Sequence, residues 1–127
     1  MIVDASAILA VLLREPEADD FMHAFAGEHE LSMSPINYLE ACVRLIKRKE
    51  DPGKVDELMA LSAIRLADVT AEQAKLARQA YERFGKSNHP AKLNLGDCFA
   101  YALAKARGEP LLFKGEDFPQ TDVEAAI

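Results

Sequence analysis

Tryptophan is absent from this chain, and cysteine and histidine are scarce, with two and three copies in 127 residues. Cys42 and Cys98 stand alone, in neither a CxxC pair nor a zinc-type spacing. This excludes a disulfide scaffold and a structural zinc site and leaves both as small apolar core residues. No apolar run approaches the roughly 20 residues that a membrane span requires, and the N-terminus shows neither the basic start nor the small-residue cleavage site of a secretory signal. A cytoplasmic location is therefore expected. Positive charge is also in deficit: 15 Lys and Arg face 21 Asp and Glu, for a net charge of −6. A protein of that balance does not grip nucleic acid through its overall field. Direct DNA binding by this chain alone is not expected, and any polyanion must meet a local basic strip. With only six Gly and six Pro, disordered and fibrous classes are excluded as well.

What remains is half hydrophobic and 28% charged, long enough for one core but not two, so a single domain over residues 1–127 is expected. Residues 2–4 read as a short strand. Ser6 is placed to cap a helix carrying Ile8, Leu9, Leu12 and Leu13. Pro16 suits the first position of a second helix, with Glu17, Asp19 and Asp20 at its positive end. A brief strand at 31–33 precedes Ser34 and Pro35, a cap followed by a preferred first helical residue, and that helix runs to about Lys49. A helix at 54–63 and a strand at 65–69 follow. Thr70 with Gln73 forms a capping box for a helix bearing Leu76, Ala77, Ala80, Tyr81 and Phe84. The polar loop 85–93 is the clearest place for a functional surface. Asn94 caps a last long helix that stops at Gly108, and 111–113 is a final strand. Helices between short apolar strands predict a layered α/β fold with a mostly parallel sheet. In such sheets ligands collect outside the carboxyl ends of the strands, where Asp4 and the "KGED" stretch both lie.

Several carboxylates fall where burial is expected. Asp4 ends a buried strand, and a charge withdrawn from water there costs several kcal/mol unless a cap, a salt bridge or a metal compensates it. In "SPINYLEACVRLI", Ile36, Leu39, Val43 and Ile46 recur at helical steps and define the expected buried face. Glu40 lies between Ile36 and Val43 on nearly the same line, so its carboxylate either reaches the interior or sits at the rim with its stem packed and its head in water. In "NLGDCFAYALA", Leu95, Phe99, Ala102 and Ala106 make one face, while Ala100, Tyr101 and Ala104 surround Asp97 on the other. Asp97 is in the first turn, where a capping role is the structural alternative to a functional one. A fourth acid comes from "GEDFPQTD", with Glu116, Asp117 and Asp122 all available; Asp117 is preferred because Phe118 beside it can anchor the turn. Like charges converging at one crevice repel unless a divalent cation balances them. Oxygen-only donors suit hard Mg²⁺ or Mn²⁺, the ions that support phosphodiester hydrolysis.

The stretches "IVDASAIL", "NYLE", "LNLGDCFAYALAK" and "LLFKGEDFPQTD" together resemble the PIN-domain ribonucleases, most closely the VapC toxins of bacterial toxin–antitoxin pairs, over essentially the whole chain. The resemblance implies a small three-layer α/β/α domain whose acidic quartet binds Mg²⁺ or Mn²⁺ and cuts RNA. Carried over by motif, the quartet is Asp4, Glu40, Asp97 and Asp117, with Asp4 and Asp97 as direct metal ligands and Glu40 acting directly or through water. Ser6 takes the place of the Ser or Thr that the family has beside its first Asp, as cap and site-orienting hydroxyl together; Asn94 supports Asp97. The family further implies a homodimer, a VapB-type antitoxin that covers the groove, and structured RNA substrates such as tRNA or rRNA loops. Lys86, His89 and Lys92 precede the Asp97 helix and are placed to meet RNA phosphates, as are Arg44 and Lys47 beyond Glu40; the alternative for each is plain solvated surface. Tyr38 and Tyr101 suit core packing better than base stacking. A phosphoacceptor receiver domain would need paired acids after the first strand, and here one Asp ends it. A catalytically inactive PIN module that only binds partners is disfavoured by the presence of Asp4, Glu40 and Asp97.

Overall fold

The computed structural model describes residues 1–27 and 29–127. Four strands, β1 (Ile2–Val3), β2 (Leu31–Met33), β3 (Ile64–Leu66) and β4 (Leu111–Leu112), lie in the order β3-β2-β1-β4 with every pairing parallel. Helices α1 (Ala5–Leu12), α2 (Ala18–Phe25), α3 (Pro35–Lys47), α4 (Gly53–Ser62), α5 (Ala71–Phe84) and α6 (Leu95–Arg107) connect them. β1, β2 and β4 are short and buried throughout, whereas the edge strand β3 buries only Ile64. Alternation still divides the core. Val3, Leu31, Met33 and Leu112 join the cluster under α1 to α4, whereas Ile2 and Leu111 join the one under α5 and α6. The result is a three-layer α/β/α fold, as the resemblance implied. No helix among the described residues is long and apolar enough to cross a membrane.

Local chemistry places most element ends as expected. Ser34 caps α3 through its hydroxyl, which accepts from the Ile36 N–H at 3.3 Å, with Pro35 as first helical residue. Gly108 ends α6 in the left-handed region at φ +62°. Cys42 and Cys98 are free and buried.

Some expectations fail for identifiable reasons. The cap of α1 is Asp4, not Ser6: Asp4 has the extended backbone of a cap (φ −82°, ψ 156°) and its carboxylate accepts from the Ser6 N–H. Pro16 precedes α2 by a turn, because Ala18 N–H donates to Glu15 C=O at 3.0 Å and puts Pro16 at the second position of that turn, another site that its fixed φ favours. The Thr70 box is half formed. The Thr70 hydroxyl accepts from the Gln73 N–H, but the Gln73 amide donates to Asp68 C=O at 3.2 Å instead of reaching back. β3 begins at Ile64 and ends at Leu66, earlier than the 65–69 expected.

The largest correction concerns α3. Leu39, Val43 and Ile46, expected inside, are 57, 36 and 55% exposed, and the buried face consists of Asn37, Ala41, Cys42 and Leu45. Small residues at 41 and 42 let α3 approach its neighbours closely, so the helix presents its compact side to the core and its larger apolar stripe outward. Leu95 is likewise 72% exposed, although the middle of α6 from Ala100 to Ala104 is buried throughout.

Leu45→Ala should cost about 2–5 kcal/mol in urea unfolding, as a buried leucine truncation does. Leu61→Ala, at a side chain 77% exposed, should stay within about 0.5 kcal/mol of the parent.

Candidate active site

In the order β3-β2-β1-β4, the chain winds outward from β1 in one direction and returns on its other side at β4. The carboxyl ends of β1 and β4 therefore flank the crevice where ligands bind in open parallel sheets. Asp4 stands at the end of β1, buried at 4% exposure. Its N–H donates to Leu112 C=O at 2.9 Å, and its Oδ2 accepts from the Ser6 N–H at 3.0 Å and the Ser6 hydroxyl at 2.6 Å. The Ser6 hydroxyl in turn accepts from the Lys114 N–H at 2.9 Å. One serine thus ties the first carboxylate to the far wall of the crevice.

Glu40 enters from α3. Its Oε1 accepts from Asn37 Nδ2 at 2.8 Å, and its carboxylate lies against the Gly96 backbone, where a Cβ would come within 2.0 Å of Oε2. Asp97 enters from the first turn of α6 in a reciprocal capping box. The Asn94 N–H donates to Asp97 Oδ2 at 3.0 Å and the Asp97 N–H donates to Asn94 Oδ1 at 2.8 Å. Asp97 therefore takes the capping role that its place in the first turn offered.

The three candidates for a fourth acid differ in their surroundings. Asp122 accepts from the Tyr101 hydroxyl at 2.5 Å and pairs with Lys105 at 3.3 Å and Arg83 at 3.6 Å, so it is engaged elsewhere. Gly115, at φ +114°, turns the chain out of β4. Asp117 follows on an exposed turn anchored by Phe118, which is 3% exposed and packs on Phe113 with ring centroids 5.1 Å apart. Glu116 is exposed on the same turn.

Electrostatics link these groups. Burial, then repulsion from Asp4, Glu40 and Asp117, raises the Asp97 carboxyl to about 7 against the Asn94 N–H bond. Burial also raises Asp4, opposed by the Ser6 bonds, and raises Glu40, where the Asn37 bond opposes and the Asp4 charge adds. Among the described residues no ion pair involves Asp4, Glu40, Asp97 or Asp117. Nor do any three His, Cys, Asp or Glu side chains among the described residues come together closely enough to hold a metal ion by themselves. Mg²⁺-like ions keep several waters and use few carboxylates, so carboxylate oxygens of this kind suit them without a complete protein cage.

The basic residues divide. Lys86 and Lys92 are exposed on loop 85–93, which is held by Lys86 N–H to Leu93 C=O at 3.0 Å and Leu93 N–H to Phe84 C=O at 2.9 Å. Gln120 Nε2 donates to Pro90 C=O at 3.4 Å and to Glu116 C=O at 3.2 Å, joining this loop to the turn that carries Asp117. His89 is half-buried; its Nδ1 accepts from the Ala91 N–H at 3.0 Å and its ring meets Phe84 edge-on, so it braces the loop. Arg44 and Lys47 are exposed on α3, and among the described residues neither takes part in an ion pair. Tyr101 is buried, and Tyr38 packs against the core with its hydroxyl donating to Asp56 at 2.7 Å.

The family model for the PIN domain matches residues 1–124. The chain belongs to the PIN-domain family. Ribonuclease VapC30 of Mycobacterium tuberculosis is 46% identical over 125 residues, covering 97% of this chain and 95% of the relative. Ribonuclease VapC of Mycolicibacterium smegmatis is 46% identical over 127 residues, covering 98% of each. These identities place the PIN domain among the VapC proteins. In fold it resembles the crystal structure of M. tuberculosis VapC20, a sarcin–ricin-loop-cleaving toxin, with a TM-score of 0.75 at 17% identity over 96% of this chain and 95% of the other. It also resembles a chain of a toxin–antitoxin complex from Klebsiella pneumoniae, with a TM-score of 0.70 at 19% identity over 95 and 92%.

Two residues of this PIN domain's crevice escape sequence reading, Asn37 and Gly96. The signals available are a polar residue three positions before Glu40 on the same helix face, and a glycine in a helical first turn with no turn to make.

Between pH 3.8 and about 7 the folded, metal-free protein keeps a proton on Asp97 that the unfolded chain has released. Stability therefore falls as pH rises through that window and levels off above it. Asp4 and Glu40, raised in the same direction, act with the same sign. Thermal melts in EDTA should show the decline from about pH 5 to pH 7, and Asp97→Asn should flatten it. A melting temperature that climbs across that range would contradict this electrostatic account.

Proposed function

We propose that this PIN domain, a single unit over residues 1–127, is a Mg²⁺- or Mn²⁺-dependent endoribonuclease that hydrolyses phosphodiester bonds in structured RNA. It acts in the cytoplasm as the toxin of a VapBC-type pair. The observation that carries the reading is the crevice where Asp4, Glu40 and Asp117 all raise Asp97 while no cation among the described residues pairs with any of the four. Asp4 and Asp97 are the direct ligands of this reading, Glu40 binds directly or through water, and Asp117 completes the quartet. When bound, a hard dication offsets the repulsion, acidifies water and stabilises the phosphate oxygens.

The chain's own groups do the holding. Ser6 fixes Asp4 from both its N–H and its hydroxyl, and Asn94 fixes Asp97 through its N–H. Lys86 and Lys92, on the loop that Gln120 joins to the Asp117 turn, offer charge to RNA phosphates. Arg44 and Lys47 extend that surface along α3, with His89 bracing the loop more than contacting RNA. A tRNA or rRNA substrate and a VapB-type antitoxin are supported by the company the chain keeps, a toxin that cleaves the sarcin–ricin loop and a toxin–antitoxin complex. A homodimer is supported by α3, whose exposed Leu39, Val43 and Ile46 form an apolar stripe suited to a second copy.

Purified protein freed of antitoxin should cut a pool of tRNA and rRNA with Mg²⁺ or Mn²⁺ and not with EDTA. Asp4→Asn or Asp97→Asn should lower the rate by more than the roughly 10–100-fold that loss of an outer-shell partner costs. Absence of metal-dependent cleavage in every RNA would favour a binding module. In sedimentation, Leu39→Asp combined with Ile46→Asp should convert a dimer to a monomer; an unaltered dimer would place the interface elsewhere.

A further inference from the structure

Asn37 is fully buried, and a buried amide is costly unless its groups are used. Both hydrogens of Nδ2 are spent at the crevice, one on Glu40 Oε1 at 2.8 Å and one on Gly96 C=O at 3.0 Å. The opposite amide orientation would set Oδ1 against a carboxylate and a carbonyl, so the network fixes this one. Oδ1 itself has no protein partner among the described residues. The side chain is thus held for its two donors, at the cost of an oxygen left unpaired.

Gly96 supplies the other half of the arrangement. Its backbone is not in the left-handed region, so glycine is not needed there for conformation. It is needed for space: an ideal Cβ would fall 2.0 Å from Glu40 Oε2, 2.2 Å from its Cδ and 2.4 Å from its Oε1. The Glu40 head occupies the volume of the side chain that residue 96 lacks. Because Gly96 adjoins Asp97, the same contact sets the α3 carboxylate beside the α6 carboxylate.

We propose that Asn37 and Gly96 are positioning residues for the metal site, clamping the Glu40 carboxylate beside Asp97 where α3 meets the first turn of α6. The proposal rests on the metal-dependent reading above. Glu40 is the group that ligates; Asn37 aims it and Gly96 makes room for it. An alanine at 96 need not unfold the protein, since the displaced group is the end of a flexible side chain, but it evicts that carboxylate from its seat.

The test is Mn²⁺ binding to the RNA-free, full-length protein, followed by EPR, alongside thermal melting in EDTA. Gly96→Ala and Asn37→Leu should each weaken Mn²⁺ binding by about 10–100-fold, the range for outer-shell partners of metal ligands. Asn37→Leu should stay folded in EDTA, so that its weaker Mn²⁺ binding is not a loss of structure. On a Glu40→Gln background neither change should weaken Mn²⁺ binding further. Folded variants that bind Mn²⁺ like the parent, an Asn37→Leu protein that fails to fold, or losses that persist in full on the Glu40→Gln background would overturn the clamp. A parent protein that binds no Mn²⁺ would instead overturn the metal site, and the clamp with it.

Discussion

Uncompensated negative charge at the carboxyl end of β1 is the constraint around which the molecule is organised. Asp4 is almost wholly withdrawn from solvent, and what it receives in return, among the described residues, is hydrogen bonds from Ser6 and not a cation. Donors of this kind lower a carboxyl group's pKa, yet at Asp4 burial outweighs them. Two more acids arrive from helices on either side of the sheet, so the repulsion is shared across both layers. A fold that needed only stability would have an apolar residue or an arginine at one of these positions.

The acids persist because each also does structural work. Asp4 caps α1, and Asp97 exchanges hydrogen bonds with Asn94 to start α6. In both cases the positive end of a helix lies under the charge, where an anion is favoured. Backbone amides are suited to this role because they stabilise a carboxylate without occupying the space in front of it or neutralising its charge. An arginine would do both. The crevice therefore stays anionic and open at once, a combination that salt bridges do not provide.

What the sequence disclosed follows the range of the forces involved. Ser34 with Pro35, Asn94 with Gly108, and the acid at the end of the first strand were legible because caps and strand ends are decided within a few residues. Asp4 taking the cap from Ser6 was a near miss of the same local kind, since both residues carry an acceptor and only the backbone angles distinguish them. The α3 face was not legible. Periodicity shows that Ile36, Leu39, Val43 and Ile46 share a side, but which side meets the core depends on the close approach that Ala41 and Cys42 permit. Asn37 and Gly96 were hidden for a stronger reason: their meaning is a contact across 59 residues of chain. Phe118 already pointed to Asp117, but the engagement of Asp122 is tertiary, since only the folded chain brings Tyr101, Lys105 and Arg83 to it.

An acidic protein that acts on a polyanion needs its positive charge placed rather than accumulated. With a net charge of −6, long-range attraction cannot gather RNA, and at physiological salt fields decay within about 8 Å in any case. Contact must then come from groups already near the crevice, and the chain places two lysines on a loop held by its own backbone bonds and by Gln120. Fixing those lysines' loop lowers the ordering cost of engaging phosphate, and a dication in the crevice would offset much of the negative charge that repels it. Under the proposed function, the carboxylates that repel RNA from the empty crevice are the ones that hold an ion able to take phosphate oxygens, so substrate binding and metal loading are coupled.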